Sequence, residues 1–109
     1  MNNFVGTVNA KHGIFKFCHF DEFIGLAIRE YGEYSELELN IILNFINEED
    51  IVFDIGANIG CFTVPMAKKV GSKGKVISFE PQPFIKKLLL ENIKSNNIDN
   101  VKIMNQGLG

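Results

Sequence analysis

Apolar positions along the second half of the chain alternate between two spacings. Residues 51–55, Ile-Val-Phe-Asp-Ile, are a short apolar run interrupted only by an acid. A run this short, rich in β-branched and aromatic residues, predicts a strand with both faces apolar, as in a buried parallel sheet. Residues 58–70 shift to helical spacing and close at Gly71. Residues 75–79 predict a second strand and residues 83–95 a second helix. Pro83 suits that helix's first turn, and Phe84, Leu88, Leu89 and Ile93 can face the sheet. Residues 101–105 predict a third strand. The order β-α-β-α-β is half of a doubly wound α/β sheet. Pro65 fits this pattern least well. It lacks an N–H and its ring presses on the carbonyl of Cys61, so the regular helix either starts late or bends there.

Upstream, residues 4–20 read as extended chain broken by a turn at Lys11-His12-Gly13, with the aromatic, β-prone stretch 14–20 as the second arm of a hairpin. Asp21-Glu22 opens one or two helical turns that reach Arg29 and end near Gly32. Ser35-Glu36-Leu37-Glu38 predicts a capping box, in which the Ser35 hydroxyl takes the Glu38 N–H and the Glu38 carboxylate returns to the Ser35 N–H. Behind it, Leu37, Ile41, Ile42, Phe45 and Ile46 fall at helical spacing, and that helix is expected to end around Asn47. The chain therefore divides into a hairpin and short helix over 1–34 and a partial α/β domain over 35–109. The 109 residues stop just past the third strand. Half a sheet leaves an unpaired edge and uncovered helix faces, so the expectation is a truncated polypeptide or one whose open edge a second chain covers.

Composition narrows the function classes. A hydrophobic content of 46% is that of a globular protein, not a disordered one. A net charge of −2, with lysines scattered as pairs such as Lys68-Lys69 and Lys86-Lys87, gives no overall basic field, and nucleic acid is not expected as a partner. Cys18 and Cys61 are far apart with no C-x-x-C, so no metal site is expected, and a reduced, cytoplasmic protein is the default. Met1-Asn2-Asn3-Phe4 lacks the pattern of a signal peptide, and no apolar stretch is long enough to span a bilayer. His12 and His19 lack metal-ligand partners in sequence and read as structural or surface residues. The uncovered sheet edge offers a surface for self-association.

Two strand ends carry the chemistry. Asp54-Ile55-Gly56-Ala57-Asn58-Ile59-Gly60 is a strand that ends in an acid and enters a tight glycine turn, and Ser78-Phe79-Glu80-Pro81 is a second strand ending in an acid. In a parallel sheet the two ends lie side by side. The turn then lets a ligand approach bare backbone, and Glu80 can accept hydrogen bonds from both hydroxyls of a ribose. Asp54 can order the loop and face a cationic amino group, or serve only as a turn acid satisfied by nearby N–H groups. Gly56 permits a turn closed to other residues, and Gly60 permits close packing at the helix start. A dinucleotide fingerprint needs glycine at 56, 58 and 61, where this chain has Gly56, Asn58 and Cys61. No Gly-Lys-Ser/Thr follows, which excludes a P-loop. A methyltransferase loop with one glycine replaced by Asn fits every position, and the ammonium and carboxylate of S-adenosylmethionine match an acid beside backbone donors. At the third strand's end, Asn105 and Gln106 offer an amide to an adenine edge, with a plain turn as the alternative. Tyr31, Glu33 and Tyr34 can reach the methionine end of such a pocket or serve only in packing.

The segments 54–60, Phe79-Glu80-Pro81 and Asn97-Ile98-Asp99-Asn100-Val101, with Tyr31-Gly32-Glu33-Tyr34-Ser35-Glu36 upstream, resemble the first half of FkbM-type methyltransferases. The resemblance implies a Rossmann-like class I fold and an enzyme dependent on S-adenosylmethionine, acting on a hydroxyl of a small-molecule or saccharide acceptor. It also implies that Asp54, Gly56, Asn58 and Gly60 line the methionine side and that Glu80 holds the ribose. That family's fourth strand and later loops have no counterpart here, and no catalytic base can be named. The rivals are an oxidoreductase fragment binding NAD(P), against which the glycine pattern argues, and a non-catalytic remnant.

Overall fold

The structure is a computed structural model and describes residues 4–104. An antiparallel hairpin of β1 (Val5–Ala10) and β2 (Gly13–Cys18) is followed by α1 (Ile24–Tyr31) and α2 (Glu36–Phe45). The α/β part then runs β3 (Ile51–Ile55), α3 (Thr63–Val70), β4 (Lys75–Phe79), α4 (Pro83–Ser95) and β5 (Val101–Met104). The last three strands form one parallel sheet in the order β3-β4-β5. The β-α-β-α-β reading and the leading hairpin with its short helix are both observed. β4 and α4 have the expected bounds.

The alternation along the strands explains how the layers stack. Val52 and Asp54 pair with Val76 and Ser78, which pair in turn with Val101 and Ile103, so all six share one face. That face is covered by α3 and α4: Val76 packs with Met66, Ala67 and Val70, while Val101 and Ile103 pack against the cluster of Ala57, Leu89 and Ile93. Both crossovers return to the same side, as the right-handed rule requires. On the opposite face, the side chains of β3 are largely exposed while Ile77 and Phe79 of β4 are half-buried. Ile51, Phe53 and Ile55 are 65%, 63% and 67% exposed, and the Phe53 ring stacks on Phe79 with centroids 6.5 Å apart. The expectation of a strand buried on both faces is thus corrected: β3 has the apolar composition but sits at a sheet edge with one face covered.

Two further expectations are revised. The helix after the glycine turn starts at Thr63 instead of residue 58. Pro65 therefore falls within its first turn, where a missing N–H costs nothing, and no bend is needed. The capping box does not form. Ser35 adopts the left-handed conformation (φ 52°), which turns its hydroxyl away from the backbone, and it donates to the Glu38 carboxylate at 3.3 Å instead.

The hairpin is joined to the α/β part by an apolar core and by amides. Phe15, Phe17, Ile28, Ile59, Cys61, Val64 and Leu88 form one buried cluster spanning β2, α1, the glycine loop, α3 and α4. Asn92 and Asn96 lie four residues apart on α4, hence on one helix face. The Asn92 Nδ2 donates to the carbonyls of Lys16 (3.0 Å) and Ile59 (2.8 Å), and its Oδ1 accepts the Lys16 N–H (2.7 Å). Asn96 treats Ile14 alike, accepting its N–H at 2.9 Å and donating to its carbonyl at 2.8 Å. Two side-chain amides thereby satisfy backbone groups of β2 that another strand would otherwise pair. At the turn, His12 Nε2 lies 3.0 Å from both oxygens of Glu36 and Lys11 Nζ lies 3.1 Å from one. Burial works to raise the Glu36 carboxyl, but His12 and Lys11 outweigh it and hold it below the ordinary range.

Candidate functional site

β3 delivers its chain into a turn that is anchored across the sheet. The N–H groups of Gly56 and Ala57 both donate to the Phe79 carbonyl, at 2.9 and 3.0 Å. Gly56 has φ 73°, and a Cβ placed there would meet no atom within 4 Å. Glycine is required by the backbone angle, and the space it leaves open is the bare approach expected of a ligand loop. Asn58 is also left-handed (φ 54°), and its Oδ1 accepts the Ile59 N–H at 2.9 Å. This is the conformation that Asn tolerates best among residues with a side chain, so it can stand where related loops carry glycine. Gly60 has φ 101°, and a Cβ there would lie 3.0 Å from the Leu89 Cδ1, which fits the close packing expected of it.

The two acids come together at adjacent strand ends, since Asp54 pairs with Ser78 and Ile55 with Phe79. Glu80 is 6% exposed. Its Oε1 accepts the Asn58 N–H at 2.8 Å and its Oε2 accepts the Gln82 N–H at 3.2 Å, so the carboxylate locks the loop to the end of β4. Each carboxylate oxygen retains a lone pair beyond these bonds. Asp54 accepts from the hydroxyls of Thr63 and Ser78, both through its Oδ2. Burial pushes the Asp54 carboxyl above its ordinary range, the Thr63 and Ser78 bonds pull it back, and the charge of Glu80 pushes it up again. Cys61, which also lines the cleft beside this loop, is pushed up to about 12 by burial and by Asp21.

A cleft of about 600 Å³ opens beside this loop. Its lining includes Asp54, Gly56 and Asn58 of the loop region, the rings of Tyr34 and Phe62, and the apolar side chains of Ile41, Phe45 and Phe53. Tyr34 and Phe62 are 6.1 Å apart between ring centroids. Of the aromatic–acid cluster Tyr31-Glu33-Tyr34, only Tyr34 lines the cleft. Tyr31 is exposed and Glu33 lies 4.0 Å from Lys11. Glu80 sits behind Asn58 and not on the cleft wall. Asn105 and Gln106 lie outside the described residues. Among the described residues no group of three His, Cys, Asp or Glu could hold a metal, and no helix is long and apolar enough to cross a membrane.

Sequence reasoning passed over Thr63, Ser78 and Asn92, all fully buried polar residues. Ser78 had a signal: it is the one hydroxyl in an apolar strand, two residues before Glu80 and hence on the same face. Thr63 had none, because the helix was expected to begin before it.

The family model of the TRM5/TYW2 methyltransferase domain matches residues 26–107. The chain belongs to this family. A tRNA(Phe) (4-demethylwyosine(37)-C(7)) aminocarboxypropyltransferase of Methanocaldococcus jannaschii is 45% identical over 96 residues, covering 87% of this chain and 35% of that protein. Among solved structures, Trm5b from Pyrococcus abyssi superposes with a TM-score of 0.74 at 23% identity, covering 97% of this chain and 29% of its own. TYW2 of P. horikoshii in complex with MeSAdo gives 0.65 at 24% identity, covering 97% and 37%. At these identities the structural likeness is one of fold, and the Rossmann-like class I architecture stands. The chain spans between 21% and 35% of the length of five curated relatives it matches.

These findings refine one expectation and overturn another. The class I methyltransferase domain holds, but the family shown is TRM5/TYW2 and not the FkbM type. The exclusion of nucleic acid is corrected by the tRNA-modifying relative and by the ribosomal-RNA methyltransferases among the other relatives. Net charge was a poor guide because it was taken over a segment of 24% to 35% of those proteins' length. It says nothing of the surface that the remainder presents.

Proposed function

We propose that this chain forms the S-adenosylmethionine-binding segment of an enzyme that transfers an alkyl group to RNA. The observation that carries the reading is the loop Gly56–Gly60: its backbone is bare at Gly56 and it is held between two acids, Asp54 and Glu80. The residues fit the cofactor. Asp54 would face the ammonium of the amino-acid tail, Gly56 and Asn58 would give the tail its close approach while Gly60, packed on Leu89, holds the turn, and the free lone pairs of Glu80 would accept the ribose hydroxyls. Reaching the ribose requires the sugar to come down beside Asn58, since Glu80 lies behind that residue's N–H. Gln106 remains a candidate for the adenine edge. When bound, the cofactor supplies a sulfonium-activated carbon, and the protein's part is to align it with an acceptor and exclude water.

The family, together with the tRNA- and rRNA-modifying relatives, supports RNA as the acceptor class, and nothing in the comparisons supports a sugar or secondary-metabolite hydroxyl. The 45% identity to an aminocarboxypropyltransferase favours a second reading of the group moved, because methyl and aminocarboxypropyl are alternative substituents of the same sulfonium. The division into residues 1–34 and 35–109 is retained as a proposal, with the hairpin as a brace for the loop through Asn92.

Calorimetric titration of the chain with S-adenosylhomocysteine and with NAD tests the cofactor. Preference for S-adenosylhomocysteine is expected, and preference for NAD ends this reading. For the transfer, unmodified tRNA and rRNA, each incubated with cofactor labelled in the methyl group or in the carboxyl carbon, separate the two groups by which label reaches RNA. Label reaching neither tRNA nor rRNA refutes the acceptor class.

A further inference from the structure

Three polar groups meet on the covered face of the sheet, and their arrangement is not symmetric. Asp54 and Ser78 are direct partners in the parallel pair β3–β4, so their side chains leave the sheet on the same side. Thr63 is the first residue of α3, the helix packed on that side. The Thr63 and Ser78 hydroxyls are fully buried, and each donates to the same oxygen of Asp54, Oδ2, with Ser78 at 3.3 Å. No hydrogen bond is made to Oδ1 among the described residues. Asp54 lines the cleft.

An aspartate left to itself turns easily about its last torsion, which has a broad two-fold profile. Two donors converging on one oxygen remove that freedom. Thr63 is the stiffer of the two, because a β-branched side chain in a helix has few χ1 choices. The carboxylate has acceptor capacity on both oxygens, so two donors need not fall on the same one. Here one oxygen takes both donors, while the other takes none among the described residues.

We infer that Thr63 and Ser78 are positioning residues, which hold the Asp54 carboxylate by Oδ2 so that Oδ1 is presented to the ammonium group of the cofactor's amino-acid tail. This inference rests on the cofactor reading above and deepens it. Neither hydroxyl touches the ligand. Their contribution is to fix one orientation of a charge that would otherwise average over two, and to favour its ionised form by donating to it. Recognition of the tail should therefore depend on them, while recognition of the nucleoside should not.

The test compares two ligands that share the adenosine and the thioether sulfur. S-adenosylhomocysteine carries the ammonium-bearing tail, and methylthioadenosine lacks it. The chain and its variants Thr63→Val, Thr63→Ser and Ser78→Ala are titrated with each by calorimetry. Thr63→Val is expected to weaken S-adenosylhomocysteine by about ten-fold, the scale of one charge-assisted hydrogen bond, and to leave methylthioadenosine unchanged. Thr63→Ser restores the hydroxyl and should restore the affinity. Ser78→Ala should act in the same sense but less, its bond being the longer. In Thr63→Val the pH below which S-adenosylhomocysteine binding fails should also move upward, because the lost donor favoured the ionised acid. Equal losses for both ligands, or no loss for either, overturn the inference while leaving the cofactor reading standing. Failure of the unsubstituted chain to bind either ligand overturns the cofactor reading and this inference with it. If circular dichroism shows Thr63→Val unfolded, Ser78→Ala and the two-ligand comparison decide alone.

Discussion

Asn92→Ala is the substitution whose cost can be worked most fully from the structure. The side chain is fully buried and makes three hydrogen bonds: two to the backbone of Lys16 and one to the carbonyl of Ile59. Truncation frees all three backbone groups. Lys16 lies at the half-buried edge of β2, so water entering the vacated space can serve its N–H and carbonyl, and the net loss there is about 0.5–1.5 kcal/mol for each bond. The Ile59 carbonyl is interior, and an orphaned acceptor there costs about 1–3 kcal/mol. The sum is about 2–6 kcal/mol, a large share of the ~5–15 kcal/mol that holds a domain of this size together. At about 4–8 °C per kcal/mol, the melting temperature should fall by some tens of degrees at the upper end and about 10 °C at the lower. Asn96→Ala is the matched control. It removes the same kind of clamp on Ile14, but at an exposed site, and should cost about 1 kcal/mol. Urea unfolding followed by circular dichroism measures both, and amide exchange at Lys16 reports the hairpin edge directly. If Asn92→Ala stays within about 0.5 kcal/mol of the parent, or costs no more than Asn96→Ala, then the amide clamp does not hold the hairpin and the reasoning fails. Because Ile59 belongs to the glycine loop, the same variant should also bind S-adenosylhomocysteine more weakly.

Gly60→Ala forces an alanine into φ 101° and brings its Cβ to 3.0 Å from Leu89; a loss of about 1–3 kcal/mol from backbone strain is expected in denaturant unfolding, and a neutral result would contradict the loop geometry. Asp54→Asn should become more stable relative to the parent as pH rises. Burial raises the Asp54 carboxyl in the folded chain, so the acid's favourable contribution is full below its unfolded value and is lost as pH climbs through the folded one, whereas Asn does not titrate. Thermal melts of both proteins from acid to mildly alkaline pH check the sign, and a gap that moves the other way refutes the assignment of a raised pKa.

The sequence made the order of elements legible because each one announces itself locally. The apolar run 51–55, the Pro83 helix start and the Gly32 and Gly71 stops are short-range signals that tertiary packing did not override. The acids were legible for the same reason, since each closes a strand. What was not legible depended on contacts between distant segments. The amide of Asn92 finds Lys16 across 76 residues, and no period in either segment announces that meeting. The start of α3 was misplaced because Asn58 and Gly60 both adopt positive φ, so the loop continues to Phe62 before regular helix begins. The capping box failed at a single torsion, the left-handed Ser35, which the Ser-x-x-Glu spacing does not report. Exposure of Ile51, Phe53 and Ile55 was hidden because an apolar strand reads alike whether or not its second face is covered. The exclusion of nucleic acid failed because charge counted over the whole segment does not report how charge is arranged on a surface.

The central claim is that a nucleoside-bearing cofactor sits against the loop between Asp54 and Glu80. Backbone amide NMR during titration with S-adenosylhomocysteine tests it most directly. The account predicts saturable shifts concentrated at the amides of Gly56, Asn58 and Gly60, with Glu80 and Gln82 moving as the carboxylate gains new donors. Shifts concentrated instead in the groove between α4 and β5 around Leu90 and Ile103, or none at saturating ligand, would contradict it.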